Sequence, residues 1–197
     1  MHGNEQSKDH FMEPKVSQEL SVIIGYARDE AMRTGHYGLG TDHLMLGLLR
    51  HASNDACRTL EGLGLRLQDM KSYIDALVFR PEGIPYSDED RIALTRKAQS
   101  VLNMAILESL KARQESTGAI HLLLAISRTS GNAGVDFLSE RGINYDTLKT
   151  YMDSHGMLKA PEDDVTTKAE DLARSMEEEM RKALGTVGLF QNNTYKS

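Results

Sequence analysis

Three consecutive residues, Thr41, Asp42 and His43, place a hydroxyl, a carboxylate and an imidazole at the predicted start of a helix. A helix N-terminus leaves its first backbone N–H groups free and carries the positive end of the helix dipole, so it attracts anions. Two interpretations of Thr41 and Asp42 remain open. They either cap the helix and complement its dipole, or they form part of an anion-binding site.

No residue pattern in the sequence points to catalysis or to a bound metal. A nucleophile would need a base and an orienting acid, and a metal would need three or four converging ligands. The sequence has no HExxH segment, no Cys–His pair and no serine-centred motif, and its one cysteine, Cys57, is expected to be a packing residue. We therefore expect a protein that is not an enzyme and that has no catalytic residue, no metal and no cofactor.

The segment around Asp42 occurs twice, at the constant offset of 78 positions that separates Gly40 from Gly118. Residues 40–50 match residues 118–128, so that His43 falls on His121. The offset aligns further identities without a gap: Ala27 with Ala105, Glu30 with Glu108, Asn54 with Asn132, Gly64 with Gly142 and Lys71 with Lys149. Residues 16–75 and 94–153 therefore look like two copies of one unit. A histidine that recurs in both copies is expected to make a structural hydrogen bond.

Apolar residues recur at helical spacing through both copies, so each copy is predicted to contain four helices. Repeat one is expected to have helices at about 17–34, 42–51, 54–61 and 67–79, with Ser17 and Thr41 as N-caps. Prolines and glycine mark a connector at 80–87. Repeat two, 88–153, is expected to have helices at about 88–113, at about 119–128, from after Gly131 to near Gly142, and at about 146–154. The first is opened by Ser87 and Asp90 as a capping box. Little or no strand is expected.

The two ends of the chain differ from the repeats. Residues 1–15 are polar and predict a mobile tail, 154–165 predict a linker, and 186–197 predict a frayed end. Between them, residues 166–185 predict a C-terminal helix with one apolar stripe formed by Leu172, Met176, Met180 and Leu184. That stripe packs on the repeats, forms a homodimer seam or docks a partner, and the sequence leaves all three open.

Composition narrows the classes of partner. The net charge of −6 comes without a cluster of lysine and arginine, which argues against nucleic acid. No apolar run approaches the roughly 20 residues of a membrane span, and the first residues lack the apolar core of a signal peptide. A single cysteine suits a reducing compartment. We expect a cytoplasmic, soluble protein.

The repeated motif resembles the amino-terminal domain of the Clp-type AAA+ unfoldases, the Clp N domain. In the first copy the resemblance lies in Gly35-His36 followed by Gly40-Thr41-Asp42-His43-Leu44-Met45-Leu46-Gly47-Leu48. The second copy departs from the pattern, with Arg113-Gln114 and then Gly118-Ala119-Ile120-His121. The resemblance implies an all-α fold in which two four-helix repeats, related by pseudo-twofold symmetry, occupy residues 16–153. The 197 residues contain no Gly-x-x-x-x-Gly-Lys-Ser/Thr loop, so ATP hydrolysis by that mechanism is not expected.

The same resemblance implies a non-catalytic module that docks proteins or peptides, namely Clp substrates, adaptors or an unfoldase. In the ClpC-like branch each repeat can also hold a phosphoarginine side chain at the Gly-Thr-acid-His segment, which makes Thr41 and Asp42 the candidate ligand-binding residues. Asp42 is one methylene shorter than the glutamate usual in the family. Ala119 and Ile120 offer neither hydroxyl nor carboxylate, so the second site should not bind. The alternative is a scaffold or oligomerisation protein with a vestigial pocket, which self-associates through its C-terminal helix.

Overall fold

The computed structural model of the chain describes residues 15–158, 174–176 and 178. The predicted N-terminal tail up to residue 14, the predicted linker beyond residue 158 and the predicted frayed end 186–197 lie outside the described residues. Most of the predicted helix 166–185 also lies outside them, although residues 174–176 and 178 are helical.

Residues 15–158 form eight α-helices, four in each repeat, which confirms the all-α fold. Repeat one contains α1 (Gln18–Arg33), α2 (Thr41–Arg50), α3 (Asp55–Gly62) and α4 (Leu67–Val78). Repeat two contains α5 (Arg96–Lys111), α6 (Ala119–Ser127), α7 (Ala133–Ser139) and α8 (Tyr145–Ser154). The offset of 78 positions relates both ends of α1 to both ends of α5, and it relates the first residue of every other helix to its counterpart.

The helix predicted at 88–113 begins later than expected, at Arg96. Thr95 caps it, since its Oγ1 accepts a 3.1 Å hydrogen bond from the N–H of Ala98, as Ser17 Oγ accepts one of 3.0 Å from Leu20 in repeat one. A 3-10 helix at Tyr86–Arg91 precedes it, so the apparent capping box at Ser87 does not open an α-helix. The intervening residues are extended because they pair with repeat one.

Within residues 15–158 the expectation of little or no strand is met, and the short strands found there connect the repeats. These residues contain four strands of two residues each, in two parallel pairs: β1 (Lys15–Val16), β2 (Gly38–Leu39), β3 (Ala93–Leu94) and β4 (Ser116–Thr117). β1 pairs with β4 and β2 pairs with β3. The offset of 78 positions relates the residues of the first pair to those of the second, and the register is the same. Each repeat therefore pairs one strand with the other repeat, as a twofold relationship requires.

Helices α2 and α6 lie at the centre of one shared core. Their residues are buried almost all round, as the apolar sequence of both segments predicts. Gly47 lets α2 approach α1 closely, because a Cβ at this position would lie 2.5 Å from the carbonyl oxygen of Ile23. The outer helices pack across the repeats, α4 against α7 and α3 against α8. The two copies therefore stabilise one another.

Candidate functional site

A cavity of about 230 Å³ surrounds the candidate residues Thr41 and Asp42. Its wall combines the start of α2 with two parts of repeat two, namely the start of α5 and the loop that precedes α7. Thr95 and Lys97 line it from α5, and Gly131 lines it from the loop. The reciprocal strand pairing explains this composition, because β2 leads into α2 and its partner β3 leads into α5. This cavity is therefore built from residues of both repeats.

Thr41 lines the cavity, but it is not the N-cap that the sequence predicted. Gly40 is the N-cap of α2 and Thr41 is the first helical residue. Thr41 is 5% exposed, and its buried Oγ1 has no hydrogen-bond partner among the described residues. A buried hydroxyl that makes no hydrogen bond costs free energy, so an acceptor or donor supplied by a ligand would stabilise it.

Asp42 lines the same cavity and also caps a helix of the other repeat. Its Oδ1 accepts a 3.0 Å hydrogen bond from the backbone N–H of Gly134, in the first turn of α7. The adjacent N–H of Val135 donates to the side chain of Asn132, which is the N-cap of that helix. The sequence assigned Asp42 to the cap of its own helix, α2, whereas in the structure its carboxylate caps α7.

Lys97 is a charged residue of this cavity that sequence reasoning missed. Its Nζ donates hydrogen bonds to the carbonyl oxygens of Ser130 and Gly131, in the loop just before α7. Lys97 makes no ion pair within the described residues. The sequence does contain a sign of this residue. The offset of 78 positions aligns Lys97 with Glu19, so the two repeats carry opposite charges at this position.

His43 makes the structural hydrogen bonds that its recurrence predicted. Its Nδ1 accepts from the N–H of Gly40 at 2.9 Å, which places its proton on Nε2. Nε2 lies 3.0 Å from the hydroxyl of Thr34, and that hydroxyl donates to the carbonyl oxygen of Glu30 at 2.7 Å. Burial, together with the charges of the nearby His36 and Arg33, lowers the pKa of His43 to about 4. The ring is therefore neutral and holds the start of α2.

His121 occupies the corresponding position in repeat two with one hydrogen bond fewer. Its Nδ1 accepts from the N–H of Gly118 at 2.9 Å, but its buried Nε2 has no partner in the part of the chain that the structure describes. The offset aligns Thr34 with Ala112, which has no hydroxyl to offer. Burial lowers the pKa of His121 to about 4, although the charge of Glu108 acts in the opposite direction.

A second cavity, of about 400 Å³, lies at the symmetry-related position in repeat two. Ala119 and Ile120 take the places of Thr41 and Asp42, so this wall has neither the hydroxyl nor the carboxylate. Glu19 stands where the first cavity has Lys97, and Asp55 adds another carboxylate. The two cavities therefore share their backbone frame and differ in charge, since the first wall carries one acid and one base, Asp42 and Lys97, whereas the second carries two acids.

Other chemistry is limited in the part of the chain that the structure describes. Cys57 is fully buried, and burial raises the pKa of its thiol to about 11, as befits a packing residue. Among residues 15–158, no three side chains of His, Cys, Asp and Glu are grouped in a way that could hold a metal ion. None of the described helices is both long enough and apolar enough to span a bilayer.

Comparison with known proteins points to one family. The family model described as the Clp repeat (R) N-terminal domain matches residues 15–141. The negative regulator of genetic competence ClpC/MecB of Bacillus subtilis (strain 168) is 25% identical over 130 residues, which are 66% of this chain and 16% of that protein. Chloroplastic chaperone protein ClpC1 of Arabidopsis thaliana is 25% identical over 136 residues, 69% of this chain and 14% of that protein. The chain therefore spans only a small part of the length of these relatives.

Solved structures share the fold. The N-terminal domain of the caseinolytic protease associated chaperone ClpD from Arabidopsis thaliana superimposes with a TM-score of 0.57 at 15% identity, covering 75% of this chain and 97% of that one. The Hsp104 N-terminal domain from Candida albicans gives a TM-score of 0.59 at 17% identity and covers 74% of this chain and 96% of that one.

Proposed function

The chain belongs to the family of Clp repeat N-terminal domains, and from that premise we propose that it is a non-catalytic docking module for protein or peptide partners. Its partners would be Clp substrates, adaptors or a Clp unfoldase. The family match and the named Clp relatives support this role. So does the surface of α5, where Leu107 and Leu110 are 55% and 47% exposed, since exposed apolar side chains that lie together favour protein contacts.

Within this role, the cavity of repeat one is proposed to hold a phosphoarginine side chain. Such a side chain carries a phosphate and a guanidinium, so its site needs a group for each. The start of α5 and the ammonium of Lys97 suit the phosphate, and the Asp42 carboxylate suits the guanidinium. The observation that carries the proposal is the Thr41 hydroxyl, which is buried in the cavity wall and makes no hydrogen bond to any described residue.

The short side chain of Asp42 does not remove it from this role. Its Oδ1 is engaged by Gly134, but Oδ2 makes no hydrogen bond within the described residues and can accept from a guanidinium. The bond to Gly134 also fixes the orientation of the carboxylate, so little side-chain entropy remains to be lost on binding. The cavity of repeat two lacks this carboxylate and should not bind phosphoarginine.

Titration calorimetry with free phosphoarginine tests the site. Wild type is expected to bind one equivalent, and both Asp42→Ala and Thr41→Val are expected to weaken binding. Ile120→Ala is the matched control in the other cavity and should bind as wild type does. The absence of heat with folded wild type would exclude the phosphoarginine site.

Pull-down experiments test the docking role independently of phosphoarginine. A fragment ending at residue 158 is expected to retain the partners that the intact chain captures. If nothing docks on that fragment, and residues 159–197 alone govern self-association, the protein is instead a scaffold.

A further inference from the structure

We propose that Lys97 determines the charge selectivity of the repeat-one cavity, so that this cavity accepts a phosphate while its counterpart, with Glu19, excludes one. This assignment rests on the proposed function, because it concerns the same ligand site. Lys97 belongs to repeat two and lies outside both Gly-Thr-acid-His segments, so a comparison of those segments would not identify it.

The geometry places Lys97 and Asp42 against one backbone segment, the loop before α7 and the first turn of that helix. The Lys97 ammonium donates to the carbonyl oxygens of Ser130 and Gly131, and the Asp42 carboxylate accepts from the N–H of Gly134. One cavity wall thus presents a positive and a negative group, both held by the same backbone segment. A ligand that carries a phosphate next to a guanidinium matches this order of charges.

Lys97 retains the capacity to bind a ligand. An ammonium has three N–H donors, and two carbonyl oxygens use at most two of them. No carboxylate neutralises Lys97 in the described part of the chain, whereas Lys71 and Lys149 are paired with Asp75 and Asp153. Its charge is therefore available to the cavity, at the start of a 16-residue helix whose dipole acts in the same direction.

The repeat-two cavity can be compared directly with the repeat-one cavity, because both lie in the same molecule. Ser17 takes the place of Thr95 as a helix N-cap, so the frame that would meet a phosphate is retained. At the position of Lys97, however, the charge changes sign, because the second cavity has Glu19 there. A carboxylate at this position repels a phosphate and offsets the positive potential at the start of the helix. The second cavity therefore excludes anions, in addition to lacking the groups that bind them.

The test is calorimetric titration of free phosphoarginine, and separately of inorganic phosphate, into the intact chain. Lys97→Glu is expected to weaken binding of phosphoarginine about tenfold to hundredfold, the range for losing a hydrogen bond to a charged group. Lys97→Gln keeps a donor for Ser130 and should fall between wild type and Lys97→Glu. Glu19→Gln is the matched control and should leave the affinity of the repeat-one cavity unchanged.

Salt dependence separates the charge of Lys97 from a structural role. Wild-type affinity should fall as ionic strength rises, and Lys97→Gln should show a weaker dependence, because screening acts only on the charged contact. If folded wild type binds neither probe, both the site and this assignment are wrong. If wild type binds and Lys97→Glu binds equally well with the same salt dependence, the site stands and the assignment to Lys97 is wrong.

Discussion

The carboxylate of Asp42 accepts a 3.0 Å hydrogen bond from the backbone N–H of Gly134, 92 positions further along the chain. One side chain of repeat one thereby caps a helix of repeat two and lines the candidate ligand cavity. Stability and binding are consequently linked at this residue, and its variants have to be compared under conditions in which all of them are folded.

Asp42→Ala is expected to lower the free energy of unfolding by about 1–2 kcal/mol, because it leaves the start of α7 without one of its caps. Asp42→Asn retains an acceptor oxygen and should cost less. Urea unfolding followed by circular dichroism measures both changes. Asp69→Ala removes an exposed acid from the first turn of α4 and serves as the control, with an expected change of a few tenths of a kcal/mol. Equal effects of Asp42→Ala and Asp69→Ala would show that the bond to Gly134 contributes nothing.

Exchange of Thr34 and Ala112 tests the difference between the two histidines. Thr34→Ala should destabilise the protein by about 2 kcal/mol, because it leaves the buried Nε2 of His43 without a partner. Ala112→Thr should stabilise it by up to about 1 kcal/mol, because it supplies His121 with the hydroxyl that it lacks. Thermal and urea unfolding of both variants provide the measurement. A loss of stability in Ala112→Thr would mean that its hydroxyl does not reach His121.

Stability is expected to fall between pH 6.5 and pH 4. The pKa of His43 and of His121 is lowered to about 4 by burial in the folded state, whereas an unfolded histidine has a pKa of about 6.5. Between these values the unfolded chain binds protons that the folded chain does not, so acid favours unfolding. Each histidine should contribute about 3 kcal/mol to this loss of stability.

His121→Gln checks the origin of this pH dependence. Glutamine at the third position of a helix can still accept from the N–H of the N-cap residue, but it does not titrate. Its unfolding free energy, measured by urea titration at several pH values, should therefore decline less steeply from pH 6.5 to pH 4. A slope equal to that of wild type would rule out His121 as a contributor.

Two glycines of α1 and α2 should respond in opposite ways to the same substitution. Gly47→Ala should cost about 3 kcal/mol, since its Cβ would lie 2.5 Å from the Ile23 carbonyl oxygen and 2.7 Å from the backbone nitrogen of Ala27. Gly25→Ala should stabilise the protein by up to about 1 kcal/mol, because among the described residues no atom beyond its chain neighbours and the adjacent backbone of its own helix lies within 4 Å of the added methyl group, and alanine favours helix. Differential scanning calorimetry distinguishes them, and a neutral Gly47→Ala would contradict the close packing of α1 on α2.

The helices of both repeats could be predicted because periodicity and the offset of 78 positions agree. The exception is residues 88–95, where a local capping pattern at Ser87 predicted a helix. There, Ala93 and Leu94 pair with β2 of the other repeat, and this long-range contact overrides the local preference. Applied to Ser17, the offset itself identifies Thr95 as the N-cap.

The candidate site could be predicted only in part. Thr41 and Asp42 line the cavity, and they were identified from one short motif. Lys97 belongs to the other repeat and reaches the cavity through the reciprocal arrangement of the two copies, which no local spacing encodes. The same holds for Gly134, since sequence alone gives Asp42 no reason to cap a helix of repeat two.

Backbone amide chemical shifts during titration with free phosphoarginine test the central claim most directly, because they report each cavity separately. Signals from residues 40–42 and 95–97 are expected to move and saturate together, whereas those from 118–120 and 17–19 stay in place. Shifts confined to the repeat-two cavity, or no shift in either one, would contradict a ligand site built on Thr41 and Asp42.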